Sequence, residues 1–204
     1  LEMRNLSFPR FSSLVISFML ICCIQVSGKK SIDVSESGNW MNWRGPLYNG
    51  SSPNVSGDTK LPSKFDEDKG FKWKVSLPGS SAATPIIFNN YVFVSSVQVF
   101  KDSKQKGRGN LLAMCFNRES GDLLWKRDAG SGYRPGGGDG TDYMLDSKSN
   151  YASPSAVTDG ERVIFFFGNG DLVSYGFDGK EEWRRNIQKD YGDFCFQWTF
   201  SSSP

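Results

Sequence analysis

The sequence of 204 residues contains no histidine. Without an imidazole, this stretch cannot hold a Ser-His-Asp triad, an H-E-x-x-H zinc site, a Cys2His2 finger or a histidine general base. Carboxylate, lysine, tyrosine or cofactor chemistry remains, or no chemistry at all. An excess of one charge is also missing: 24 Lys and Arg stand against 22 Asp and Glu, a net +2. A nucleic-acid binder concentrates basic charge on one face, so nucleic acid is not the expected partner. Cysteine is scarce, at four. Cys22 and Cys23 are adjacent inside an apolar run near the N-terminus, which leaves Cys115 and Cys195. Spacing alone leaves open whether these two pair or stay as buried thiols. After Gly28 no stretch has a helical apolar period flanked by caps.

The one long apolar run is at the start. Leu1 and Glu2 precede Met3 and read as a cloning or reading-frame scar, after which Arg4 and Arg10 supply positive charge. Phe11–Val26 carries no charge and leads through Ser27-Gly28 to Lys29-Lys30. That run is short for a membrane span, which takes about 20 residues, and suits the apolar region of a secretory signal. Residues 1–28 are therefore expected to be a signal peptide cleaved after Gly28, with an uncleaved anchor as the alternative. A lipoprotein signal is disfavoured because Ile21, not a small residue, precedes Cys22. At the other end, the strand-like run Phe194–Phe200 meets Ser201-Ser202-Ser203-Pro204 with no partner segment after it, which reads as a truncation inside an element.

Residues 29–69 form a polar, Ser-rich leader and an arm containing Trp40, Trp43 and Arg44. From residue 70 onward, short β-branched and aromatic runs alternate with turn dipeptides, the pattern of an all-β domain. The expected strands are Phe71–Leu77, Ala83–Phe88, Tyr91–Val97, Leu111–Phe116, Leu123–Arg127, Ser153–Thr158, Arg162–Phe167, Leu172–Phe177 and Glu182–Asn186. Asn89-Asn90, Asp159-Gly160, Asn169-Gly170 and Asp178-Gly179 supply the residues that tolerate positive φ in tight hairpins.

One four-strand pattern recurs. A small residue, then Thr or Ser, then proline opens it at Pro85, Pro154 and Pro204. An apolar strand follows, YVFVSSV in one copy and RVIFFFG in the other, then LLAMCF against LVSYGF. The fourth strand is announced by a glycine turn and a tryptophan, Gly121 to Trp125 and Gly179 to Trp183. A four-stranded unit repeated in this way is a β-propeller blade. The glycine-turn-Trp strand and the Ser/Thr-Pro openings resemble the pyrroloquinoline-quinone-type (PQQ-like) propeller repeats of quinoprotein dehydrogenases and of the outer-membrane assembly lipoprotein. Trp40-Met41-Asn42-Trp43-Arg44-Gly45-Pro46, with Gly50, is similar to the W-x-x-(W/F)-R-G-P-x-x-x-G signature of secreted bacterial members.

The resemblance covers about residues 40–204 and implies an all-β propeller of four-stranded antiparallel blades, incomplete in this chain. Two blades would be whole and two partial, against about seven or eight in a closed ring. Trp73 would belong to an outer strand lent by the N-terminus to the last blade, its sheet partners lying beyond Pro204. For function, the resemblance implies a secreted or periplasmic protein and two readings. One is a non-catalytic scaffold that binds protein or carbohydrate; the other is a PQQ- and calcium-dependent alcohol or sugar dehydrogenase. No carboxylate here matches the calcium set of the quinoproteins, and the only Cys-Cys pair sits in the signal. No cofactor is evident, and no membrane contact is expected apart from the signal or anchor.

Trp73, Trp125 and Trp183 occupy one repeat position and are expected to pack between blades, each indole N–H finding a carbonyl. Trp40, Trp43 and Arg44 lie outside the blades and either pin the arm against the propeller rim or, through Arg44-Gly45-Pro46, clamp a ligand carboxylate. The glycine-rich insertion from Gly130 to Asp146 lacks the Gly-Lys-Ser/Thr of a phosphate loop. It is a connecting loop, or a substrate or metal loop in which Asp139, Asp142 and Asp146 could ligate calcium and Tyr133 and Arg134 could contact a ligand. Lys101–Gly109 reads as a solvated hairpin tip. Asp190 and Asp193 are nearby carboxylates with no sign of a shared cleft, and Asn49-Gly50-Ser51 and Asn54-Val55-Ser56 match glycosylation sequons.

Overall fold

The computed structural model describes residues 38–52, 66, 70–99, 109–131, 150–194 and 200–204. The signal read over residues 1–28 lies outside them, and all of them fall within one compact unit, Asp33–Pro204.

Eight strands form two sheets. The first contains β1 (Ile86–Phe88), β2 (Tyr91–Val99), β3 (Gly109–Asn117) and β4 (Leu123–Ser131); the second contains β5 (Val157–Thr158), β6 (Arg162–Phe166), β7 (Asp171–Gly176) and β8 (Glu181–Asn186). In each, the strands pair antiparallel in sequence order. The turn chemistry accounts for this order. Phe88 pairs directly with Tyr91, so Asn89-Asn90 is a two-residue hairpin loop, and Asn89 takes φ 51°. Asp159 Oδ1 accepts from the backbone N–H groups of Glu161 and Arg162 at 3.0 and 2.9 Å, closing the β5–β6 turn.

Both faces of β2 are buried, which is what a sheet held between two neighbours requires. Phe93 and Val97 join Cys115 and Trp125 against Val163, Phe165, Val173 and Tyr175 of the second sheet. On the opposite face Val92 and Val94 pack with Leu112, Met114, Trp73 and Leu77. The sheets are successive blades of a β-propeller, and the ring is incomplete among the described residues.

The blades repeat in detail. Each has a register irregularity at the same place, between Cys115 and Phe116 in β3 and between Ser174 and Tyr175 in β7. The residue before it pairs with the tryptophan of the fourth strand, Cys115 with Trp125 and Ser174 with Trp183. Followed across the sheets, this register sets Ile86 against Val157 and therefore Thr84 against Ser155. Hydrogen bonds agree: Thr84 N donates to Ser155 Oγ at 2.9 Å, and Ser155 N donates to Ser203 Oγ at 2.9 Å. The structural repeat thus runs through Thr84, Ser155 and Ser203, whereas the Thr/Ser-Pro motif aligns Pro85 with Pro154. Pro154 precedes its serine and is buried; Pro85 and Pro204 follow theirs and are exposed.

Among the described residues Phe71–Leu77 pairs with no strand, and Phe71 and Val75 are exposed; the partners expected for it would lie beyond Pro204. One expectation needs correction. A helix, α1 (Ile187–Tyr191), occurs where no helical period was read. One turn is too short to show a period. Asn186 starts it by accepting from Lys189 N at 3.0 Å.

Candidate functional site

Three arrangements bring chemistry-bearing side chains together. The first lies between blades. Trp125 Nε1 donates to Phe177 O at 2.9 Å, and its ring covers Gly179, where a Cβ would sit 2.7 Å from the indole Cγ. Trp73 repeats this one blade earlier: Nε1 donates to Arg118 O at 2.8 Å, and a Cβ on Gly121 would come within 2.7 Å of the ring. Gly179 and Gly121 both have positive φ, 77° and 79°. Arg127 Nε adds a bond to Gly179 O at 2.7 Å, and Lys72 pairs with Glu119 beside Trp73. That lysine's hydrogen bond and charge hold Glu119 below the usual carboxylate value. Trp183 is half-buried and makes no such bond among the described residues.

The second is the arm. Trp40 pairs with Ile87 through two backbone bonds of 2.8 Å, and Thr158 N donates to Met41 O at 3.1 Å. These are the first strands of the two blades, so the arm crosses their free edges. Asn39 Oδ1 accepts from Asn89 N at 2.8 Å. Trp40 is the packing residue, with Gly45 so close that a Cβ would lie 2.8 Å from its ring. Trp43, by contrast, is 56% exposed, and Arg44 is exposed with its guanidinium 5.8 Å from the Trp43 ring centroid.

The third was not foreseen. Asp171 is buried, Asn186 Nδ2 donates to its Oδ1 at 2.8 Å, and Asn169 Nδ2 donates to its Oδ2 at 2.7 Å. Gln188 Nε2 donates to Asn169 O at 2.9 Å. Gly130 of the preceding blade closes over this group, where a Cβ would lie 2.6 Å from Asp171 Oδ2. In the sequence, Asn169-Gly170-Asp171 has only the signature of a turn, and Asn186 and Gln188 are separated from it by a whole hairpin.

This donor set does not fit calcium. Asn169 Oδ1 accepts from Asp171 N at 3.1 Å and Asn186 Oδ1 accepts from Lys189 N, so both amide nitrogens are turned towards the carboxylate. A cation would need those oxygens. Among the described residues no group of three or more His, Cys, Asp or Glu could hold a metal.

Tyr133, Arg134, Asp139, Asp142 and Asp146 lie outside the described residues, as do Cys195, Asn54 and positions 100–108. Cys115 is a free, buried thiol whose pKa burial pushes up to about 12. Asp190 is engaged by Arg185 at 2.8 Å, while Asp193 is exposed. The far side of the second blade has a shallow apolar groove of about 270 Å³ lined by Phe166, Leu172, Ile187 and the 200–204 segment. No helix among the described residues is long and apolar enough to cross a membrane.

No protein-family model and no curated protein matches the chain. Among solved structures it is similar to BamB from Moraxella catarrhalis, at 17% identity and TM-score 0.36 over 56% of this chain and 26% of that one. It is similar also to the quinohemoprotein alcohol dehydrogenase ADHIIG from Pseudomonas putida HK5, at 14% identity and TM-score 0.49 over 84% of this chain and 22% of that one. A europium-containing methanol dehydrogenase matches at 10% identity and TM-score 0.26 over 50% and 24% of the two chains. The chain spans about a quarter of each of these solved chains.

Proposed function

We propose that this chain contributes blades to an exported PQQ-like β-propeller that acts as a binding scaffold for protein or carbohydrate, with no chemistry of its own. The observation that carries this reading is Asp171. It is the buried carboxylate in the described blades, and carboxamides held by backbone N–H groups occupy both its oxygens. A carboxylate satisfied in this way fixes a blade junction and presents neither oxygen free to a cation. Export is supported by the charged start and uncharged run of residues 4–28.

The test is calorimetric titration of the full-length protein with PQQ and calcium, together with dye-linked oxidation of alcohols and sugars. Neither heat nor turnover is expected. Quinone binding with turnover would replace the scaffold by a dehydrogenase.

A further inference from the structure

The arm loop is built to present side chains outward. Gly50 N donates to Arg44 O at 2.9 Å, Tyr48 N to Gly45 O at 3.1 Å and Gly45 N to Asn42 O at 3.0 Å, so its turns close on one another. Asn42 is buried and its Oδ1 accepts from Arg44 N at 3.0 Å, while Trp40 underpins Gly45. On this held backbone Trp43, Leu47 and Tyr48 are 56%, 51% and 72% exposed. Tyr48 takes φ 55°, a left-handed conformation that non-glycine residues seldom adopt. Arg44 stands among them with no carboxylate partner among the described residues, its guanidinium donating only to Asn49 O at 3.5 Å.

We propose that the loop from Trp43 to Gly50 is a docking surface for a peptide segment of a partner protein in which an acidic side chain adjoins apolar ones. The inference rests on the scaffold reading and names its partner. Charge complementarity supplies the acidic element, because a free guanidinium favours a carboxylate bonded to both its nitrogens. Composition selects a peptide over a sugar. Trp, Tyr and Arg are the side chains that dominate protein interfaces, and an exposed leucine offers nothing to a hydroxylated ring. Asn49, the polar neighbour, already spends its Oδ1 on Ser51 N at 2.8 Å. The fixed backbone lowers the ordering cost of binding.

The experiment uses the full-length protein and fluorescein-labelled 12-residue peptides that alternate Asp or Glu with Leu or Phe. Matched peptides carry Asn and Gln in place of the acids, and an oligouronate serves as the carbohydrate arm. Anisotropy is expected to show binding of the acidic-apolar peptides, weakened about tenfold or more by Arg44→Gln, by Trp43→Ala or by the amide replacement. Arg44→Lys should restore binding only in part, since lysine loses the bidentate fork. Acrylamide quenching of the wild type against Trp43→Phe should find Trp43 accessible until peptide is added. The inference is overturned if no acidic-apolar peptide binds, if the oligouronate binds instead, or if Trp43 is shielded in the free full-length protein. It is also overturned if binding survives both substitutions, which would put the docking face elsewhere and leave the scaffold reading intact. Quinone turnover, by contrast, would remove the scaffold reading itself.

Discussion

Trp125 of one blade rests on the bare α-carbon of Gly179 in the next, and its indole N–H donates to Phe177 O of the same turn. Gly179 therefore has two reasons to be glycine, its φ of 77° and the 2.7 Å separation between any Cβ and the ring. Gly179→Ala should cost about 2–4 kcal/mol, combining left-handed strain with overpacking. Gly50→Ala is the control: φ is 82°, yet nothing lies within 4 Å of a Cβ, so only about 1 kcal/mol of strain is expected. Urea midpoints of the two variants would measure the difference.

Replacing Trp125 by phenylalanine keeps an aromatic ring but leaves Phe177 O without its donor. The expected loss is about 1–2 kcal/mol, the cost of an unmade, part-buried hydrogen bond. An unchanged urea midpoint would argue against the contact between blades.

Asp171→Asn is nearly isosteric, but it turns at least one acceptor into a donor facing the amide nitrogen of Asn169 or Asn186. The variant should be destabilised by about 2 kcal/mol or more. Loss of the network should also speed amide exchange at Phe194, whose N–H bonds Gln188 Oε1 at 2.9 Å. A stable variant with unchanged exchange would show that the carboxylate is not needed there.

The architecture was legible in the sequence to the extent that turns and apolar alternation carry it. Eight of the expected strands have counterparts among β1 to β8, because Asn89-Asn90, Asp159-Gly160 and Asp178-Gly179 mark turns by local chemistry. Phe71–Leu77 has strand-like residues, but a strand is a property of its partner as well. The proline register misled for a similar reason: the contact that repeats is the Thr84–Ser155–Ser203 hydrogen-bond series, and proline has no N–H to take part in it. The Asp171 network was invisible because its members converge only through the β6–β7 and β7–β8 pairings. Of the arm, the sequence singled out Trp40, Trp43 and Arg44 together but not which of them would carry the packing.

Cys115 should resist thiol reagents in the folded protein. Its raised pKa means that the folded state keeps a proton which the unfolded chain releases above its ordinary value of 9.0. The resulting stability is complete below pH 9.0 and is lost as pH rises towards about 12. Stability curves of wild type and Cys115→Ala over that range should therefore converge with rising pH. Parallel curves would contradict a buried, protonated thiol.

The contact between successive blades is tested most directly by hydrogen exchange of the tryptophan indole N–H groups, followed by NMR. Trp125 should exchange only when the protein unfolds globally, with protection that falls in step with stability in urea. If Trp125 exchanged as fast as an exposed indole under native conditions, the two sheets would not be locked as successive blades, and the propeller account would fail.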